Sequence, residues 1–180
     1  MVIRVFIAIK FPAEILEEIE EIQKEIGEKK LFEGKLVEKE NLHLTLKFLG
    51  EIDEEKVKKV EEELRSIKFE KFEAKISEIG VFDPELVRII WLRIDGGKIL
   101  ELQKEIDEKL KGFFKREERF MSHVTIARVK KCEDKKKIIS EIRDVKIPES
   151  NFLVREFFLV KSELKKEKAE YSILGEFKLV

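Results

Sequence analysis

Two four-residue stretches, His43-Leu44-Thr45-Leu46 and His123-Val124-Thr125-Ile126, repeat one pattern of histidine, aliphatic, threonine, aliphatic. The chain holds two histidines and two threonines, and all four fall in these stretches. Side chains of an extended strand alternate between faces, so His43 and Thr45 share one face while Leu42, Leu44 and Leu46 take the other. His123 and Thr125 repeat the arrangement, with Val124 and Ile126 turned away. A core has little use for the same polar pair twice in a chain that otherwise avoids both residue types. The four side chains are therefore candidates for chemistry, and the fold must bring two similar strands together.

The rest of the chain is patterned to do so. Residues 2–9 are almost wholly apolar and β-branched or aromatic, as in a strand buried on both faces. Pro12 precedes a helix with Ile15, Ile19, Ile22 and Ile26 on one side, which Gly27 can terminate. A polar loop containing Gly34 leads through Lys35 and Val37 to the first motif strand, about 42–49, which Gly50 ends. Asp53 can cap a helix with the stripe Val57, Val60, Leu64 and Ile67. Residues 72–82 alternate as a half-buried strand, and Asp83-Pro84 turns the chain. A strand at 87–94 precedes Gly96-Gly97 and a helix bearing Ile99, Leu102, Ile106 and Leu110. After a charged connection comes the second motif strand, then a helix with Ile138, Ile139 and Ile142 that Asp134 can cap. Closing strands are expected at about 152–162 and 170–180, joined through Lys165-Lys166-Glu167-Lys168.

The order strand, helix, motif strand, helix occurs twice. Arg4-Val5-Phe6-Ile7 resembles Arg88-Ile89-Ile90-Trp91, 84 positions on, and His43 and His123 are 80 apart. Near-equal offsets argue for a duplicated unit, and no linker rich in Pro, Gly or Ser divides the halves. The expected fold is α+β and bilobal, a single domain over residues 1–180 with two antiparallel sheets lining a central cleft and helices outside.

Composition narrows the partners. Of 180 residues 43% are charged, 38 basic against 39 acidic, so a polyanion must be met by a local patch rather than a global field. The bias toward Lys and Glu is thermophile-like. One cysteine, Cys132, permits no internal disulfide and suits a reducing cytoplasm. No apolar run approaches membrane-spanning length, and the N-terminus lacks a signal peptide's pattern.

An imidazole titrating near ~6.5 can serve as base when neutral and as acid when protonated. A threonine hydroxyl two residues on can donate to an anionic oxygen beside it. A phosphorus flanked by both pairs would meet an acceptor on one side and a donor on the other, as in-line displacement requires. Metal binding fits less well, because no carboxylate shares the motifs. Nucleotide-triphosphate chemistry lacks a glycine-rich GKS or GKT loop. Ser122 sits beside His123 but faces away in a strand.

With these motifs in place, the sequence resembles the two-histidine phosphoesterase superfamily, and within it the bacterial and archaeal RNA 2′,3′-cyclic phosphodiesterases, also called 2′-5′ RNA ligases. The resemblance rests on Phe11-Pro12, on Leu42 through Gly50 and on Ser122 through Arg128, and covers essentially the whole chain. It implies hydrolysis of an RNA 2′,3′-cyclic phosphate to a 2′-phosphate without metal or nucleotide cofactor. It implies His43 as proton donor, His123 as proton acceptor, and Thr45 and Thr125 as holders of the phosphoryl oxygens. It also implies a possible reversible 2′-5′ ligation, RNA ends as partners, and a cytoplasmic protein, read here as a monomer. Residues alone do not assign acid and base, because the two sites look alike. Two other readings keep the pocket: a non-catalytic RNA-end binding module, and the same chemistry on another cyclic or 2′-5′ nucleotide.

The resemblance adds Arg128 as a phosphate contact and Phe48 at the equivalent place after His43. Strict alternation puts both on the face opposite the histidines, so a cleft role requires the strand to end or bulge first. Arg116 and Arg119 read as a solvated charged loop rather than an RNA patch, and Phe11 reads as core rather than a base-stacking ring.

Overall fold

The structure is a computed structural model that describes residues 2–165 and 168–180. Lys166 and Glu167, within the stretch expected to join the closing strands, lie outside the described residues. The first half runs β1 (Val2–Lys10), α1 (Ala13–Glu28), β2 (Glu33–Leu36), a 3-10 turn (Lys39–Asn41), β3 (His43–Asp53) and α2 (Glu54–Arg65). The second runs β4 (Phe72–Val81), β5 (Ile89–Asp95), α3 (Ile99–Leu110), β6 (His123–Lys131) and α4 (Lys135–Arg143), followed by β7 (Asn151–Val154), β8 (Glu156–Leu164) and β9 (Ala169–Lys178). Asp53 and Asp134 cap α2 and α4 as expected, accepting from the backbone N–H of Lys56 at 2.8 Å and of Lys137 at 2.9 Å.

The strands pair antiparallel in the order β7-β4-β5-β6-β3-β1-β8-β9, with β2 also on β6. The fold is α+β, as expected. The two expected sheets are two wings of one curled sheet, joined where the motif strands meet at the pair Leu44 and Val124. That register sets His43 beside Thr125 and Thr45 beside His123 on one face. Along β1, Val5, Ile7 and Ile9 join the main core, while Phe6 and Ala8 pack with Phe158 and Val160 in a second cluster bordered by Tyr171. The strand is thus buried on both faces, as its composition predicts.

Three expectations are corrected. Gly50 does not end β3, which continues to Asp53; Gly50 has φ 73° and pairs with Val5, while the next pair, Phe6 with Phe48, skips Leu49. Glycine there serves a bulge, because only glycine takes a positive φ without steric cost. The stretch read as a polar loop contains β2, which is exposed throughout and so carries no apolar alternation. Its approach to β6 requires Gly34, where a Cβ would lie 2.2 Å from the carbonyl oxygen of Arg128. The strand expected at 152–162 breaks at Arg155 into β7, which pairs with β4, and β8, which pairs with β1.

The halves brace each other. Helix α1 packs under β6 of the second half, and α3 packs under β3 of the first. The chain's two glutamines, Gln23 and Gln103, lie 80 positions apart within Glu21-Ile22-Gln23-Lys24-Glu25-Ile26 and Glu101-Leu102-Gln103-Lys104-Glu105-Ile106, the same offset as the motifs. Both are buried.

Candidate active site

The motif strands carry the same irregularity. In β3, Ile7 pairs with Lys47 and Ala8 with Thr45, leaving Leu46 unpaired; in β6, Ile90 pairs with Ala127 and Trp91 with Thr125, leaving Ile126 unpaired. Each bulge puts two successive residues on the core side, Leu46 with Lys47 and Ile126 with Ala127, and both pairs are buried. Alternation then resumes one residue out of phase. Phe48 and Arg128 are thereby returned to the face of the histidines and threonines. The conflict between strict alternation and a cleft role disappears.

One cavity of about 530 Å³ receives all six sequence-predicted residues, His43, Thr45, Phe48, His123, Thr125 and Arg128. Phe48 is 69% exposed, unusual for an aromatic residue in mid-strand. Arg116 pairs with Glu108, Arg119 is exposed on the same loop, and neither borders this cavity. Phe11 is buried edge-on against Phe152, their centroids 5.6 Å apart. Ser122 donates its hydroxyl to the Ile94 carbonyl at 2.7 Å. Among the described residues, no group of three His, Cys, Asp or Glu side chains is arranged to hold a metal ion.

Both imidazoles are held by one device. His43 Nδ1–H donates to the carbonyl of Asn41 at 2.7 Å, and His123 Nδ1–H donates to that of Met121 at 2.8 Å. A carbonyl can only accept, so each ring carries its proton on Nδ1 when neutral and leaves Nε2 open for proton transfer. The side chain of Asn41 also donates to the Ala169 carbonyl at 3.0 Å, which ties the start of β9 to the turn that holds His43.

The surroundings of the two rings differ. His43 lies against Phe6, centroids 4.8 Å apart, and edge-on to Tyr171 at 5.3 Å, whereas His123 meets the half-exposed Phe82 edge-on at 5.0 Å. Burial lowers the His43 pKa to about 4 despite the Asn41 carbonyl, and the charges of Lys10, His123 and Arg128 push the same way. His43 is therefore neutral at pH 7 in the free protein. In the unfolded chain it binds a proton near ~6.5, so between about pH 6.5 and 4 the unfolded state holds more protons. Stability from this group is complete above that window and falls on acidification by at most about 1.4 kcal/mol per pH unit. NMR titration of the imidazole Cε1–H, assigned by its loss in His43→Ala, should give a midpoint near 4; a midpoint near 6.5 contradicts the aromatic enclosure.

Sequence reasoning missed several residues that build this site. Gln23 Nε2 donates to the carbonyls of Val37 and Ile126, each at 2.8 Å, and Val37 N–H also reaches Ile126 at 2.9 Å. These bonds hold the bulge that aims Arg128. Gln23→Leu should leave buried carbonyls short of donors, costing about 1–3 kcal/mol in urea unfolding and weakening whatever Arg128 binds. An unchanged midpoint would deny Gln23 that role. Tyr171, Lys168, Lys35 and Arg4 also line the cavity. Tyr171 is the chain's one tyrosine, the nearest thing to a signal among them.

A curled antiparallel sheet thus presents two Nδ1-anchored imidazoles, two hydroxyls and an arginine to one cavity. The sequence matches the LigT-like phosphoesterase family over residues 9–91 and 95–171. An RNA 2′,3′-cyclic phosphodiesterase of Methanocaldococcus jannaschii is 38% identical over 179 residues, covering 97% of this chain and 99% of that protein. A crystal structure from Thermus thermophilus superimposes with a TM-score of 0.81 over 97% of both chains, at 24% identity, and so speaks for the fold alone. Escherichia coli LigT complexed with 3′-AMP superimposes with a TM-score of 0.78 at 26% identity, over 99% of both chains. The chain belongs to the LigT-like phosphoesterase family.

Proposed function

We infer that this chain is an RNA 2′,3′-cyclic phosphodiesterase, opening the cyclic phosphate to a 2′-phosphomonoester by acid and base work of two histidines. The observation that carries the reading is one cavity bordered by both His-Thr pairs, each imidazole anchored through Nδ1 with Nε2 free. The curated relative's name and the nucleotide-bound Escherichia coli neighbour support the same chemistry.

Water attacks phosphorus as His123 Nε2 takes its proton, and the bond to the 3′ oxygen breaks as His43 Nε2 supplies a proton to it. The 2′ bond is retained, so the product is a 2′-phosphate. Thr45 and Thr125 donate hydroxyl hydrogens to the non-bridging oxygens, Arg128 offsets their charge, and Phe48 offers a face to the nucleobase. His43 must gain its proton against burial, and the phosphodiester anion provides the opposite charge that favours it. Strain in the five-membered ring drives the reaction without ATP. If an RNA 5′-hydroxyl replaced water, the same steps would form a 2′-5′ linkage. The single free thiol fits action in a reducing cytoplasm, and the repeated element order fits one domain grown from a duplicated unit.

Incubation with a nucleoside 2′,3′-cyclic phosphate, EDTA present, should yield the 2′-phosphate. Tight binding without turnover would instead indicate an RNA-end binding module. Turnover confined to a 2′-5′ oligonucleotide or another cyclic nucleotide would move the substrate and keep the chemistry.

A further inference from the structure

Three cations that line the cavity form no salt bridge among the described residues. Lys168, also at its edge, pairs with Glu38 at 3.1 Å and Glu40 at 3.5 Å. Arg4, Lys35 and Arg128 line the same cavity, and among the described residues none forms a side-chain hydrogen bond or a salt bridge, although Arg4 lies opposite Glu51 across β1 and β3. Two of them are set directly together: Lys35 on β2 is the cross-strand partner of Arg128 on β6. Directly opposed residues of an antiparallel pair face the same way with their Cβ atoms about 5 Å apart, and like charges there repel. The arrangement is also built. Gly34 admits the close approach of β2, and Val37 and Gln23 fix the bulge that turns Arg128 inward. An unfavourable pair that the fold constructs and leaves without a counter-ion calls for an anion from outside.

We propose that Lys35 forms a second anion position that binds the phosphodiester one nucleotide 5′ of the reacting cyclic phosphate, with the neighbouring Arg128 side chain reaching between the two phosphates. The proposal rests on the cyclic phosphodiesterase reading and specifies its substrate as an RNA end rather than a free cyclic mononucleotide. The reacting phosphate occupies the 2′ and 3′ oxygens, so the substrate extends only through its 5′ oxygen. Any second phosphate that the wall meets belongs to that linkage. Arg128 is three residues past Thr125, which at about 3.3 Å per residue, less the bulge, puts the Lys35–Arg128 pair roughly 7–10 Å along the wall. That is the scale of one nucleotide step. Arginine supplies planar, paired donors to the phosphates and lysine a compact charge beside it.

The test compares a dinucleotide ending in a 2′,3′-cyclic phosphate with the same dinucleotide carrying an uncharged methylphosphonate linkage, and with the cyclic mononucleotide. For the unmodified protein, kcat/KM should favour the charged dinucleotide over its uncharged analogue by about tenfold or more. Lys35→Gln should collapse that ratio toward one, and Lys35→Arg should retain it, which separates charge recognition from a structural defect. The slope of binding against salt should also fall by about 0.7 in Lys35→Gln. If the mononucleotide is opened but the unmodified protein does not distinguish the two dinucleotides, the second anion position is wrong and the reaction stands. If Lys35→Gln keeps the full ratio, the lysine has no part in it. If none of the three is opened, the underlying reading fails and this one with it.

Discussion

His43→Ala and His123→Ala should each slow cyclic-phosphate opening by about 10²–10⁴-fold at neutral pH, with little change in substrate binding. The reason lies in what each ring does: Nδ1 is committed to a backbone carbonyl, so Nε2 is the one nitrogen that can move a proton. Because the two transfers belong to one displacement, the double variant should be scarcely worse than the poorer single one. Burst-free steady-state rates with a cyclic mononucleotide measure this. Multiplied losses would mean the rings act in separate steps. Thr45→Val and Thr125→Val should cost less, since each removes one hydrogen-bond donor.

Breaking the buried ion pair beneath the site should have the largest effect on stability. The bulge at Leu46 turns Lys47 into the core, where it is 4% exposed and bonds to Asp107 of α3, and it donates to the Lys115 carbonyl at 2.7 Å. Asp107 also accepts from Gln103 at 2.8 Å and from the Glu117 N–H at 2.9 Å. Burial pushes the Asp107 carboxyl up, but these donors outweigh it and hold the group below its ordinary range. Asp107→Leu strands a buried ammonium and should cost about 3–5 kcal/mol in urea unfolding, whereas Lys47→Met with Asp107→Leu should recover most of it. The folded carboxyl is the stronger acid, so its contribution is complete above about pH 4 and is lost as the pH falls below that. A loss below 1 kcal/mol in the single variant would mean the pair is solvated.

The sequence makes His43, Thr45, His123 and Thr125 legible because repetition of rare residue types survives without knowledge of contacts, whereas Phe48 and Arg128 come from the family resemblance. The requirement for a bulge is legible too, since Arg128 cannot otherwise share a face with His123. Its cause is not. Gln23 and Lys47 look like members of solvated helical and strand patterns, but the bulge at Leu46 turns Lys47 inward and Gln23 of α1 is buried against the Ile126 carbonyl of β6. The Glu-x-Gln-Lys-Glu-Ile repeat at the motif offset was the available clue to the first. Strand β2 lacks any apolar alternation, and what makes it a strand is pairing with β6, which local pattern does not carry. Tyr171 and Lys168 reach the cavity from a hairpin far along the chain, so only tertiary structure places them beside His43 and Glu38. The asymmetry of the two histidines is likewise a packing result, since it comes from Phe6 and Tyr171.

The account stands on both imidazoles meeting one phosphate. The direct measurement is an NMR titration of the two histidine Cε1–H resonances with a nucleoside 2′-phosphate. Both signals should move together along one binding curve that saturates at one equivalent, and both movements should disappear in Arg128→Ala at the same ligand concentration. A shift of one ring alone, or two curves with different midpoints, would show that the histidines do not share a phosphate and would contradict the account.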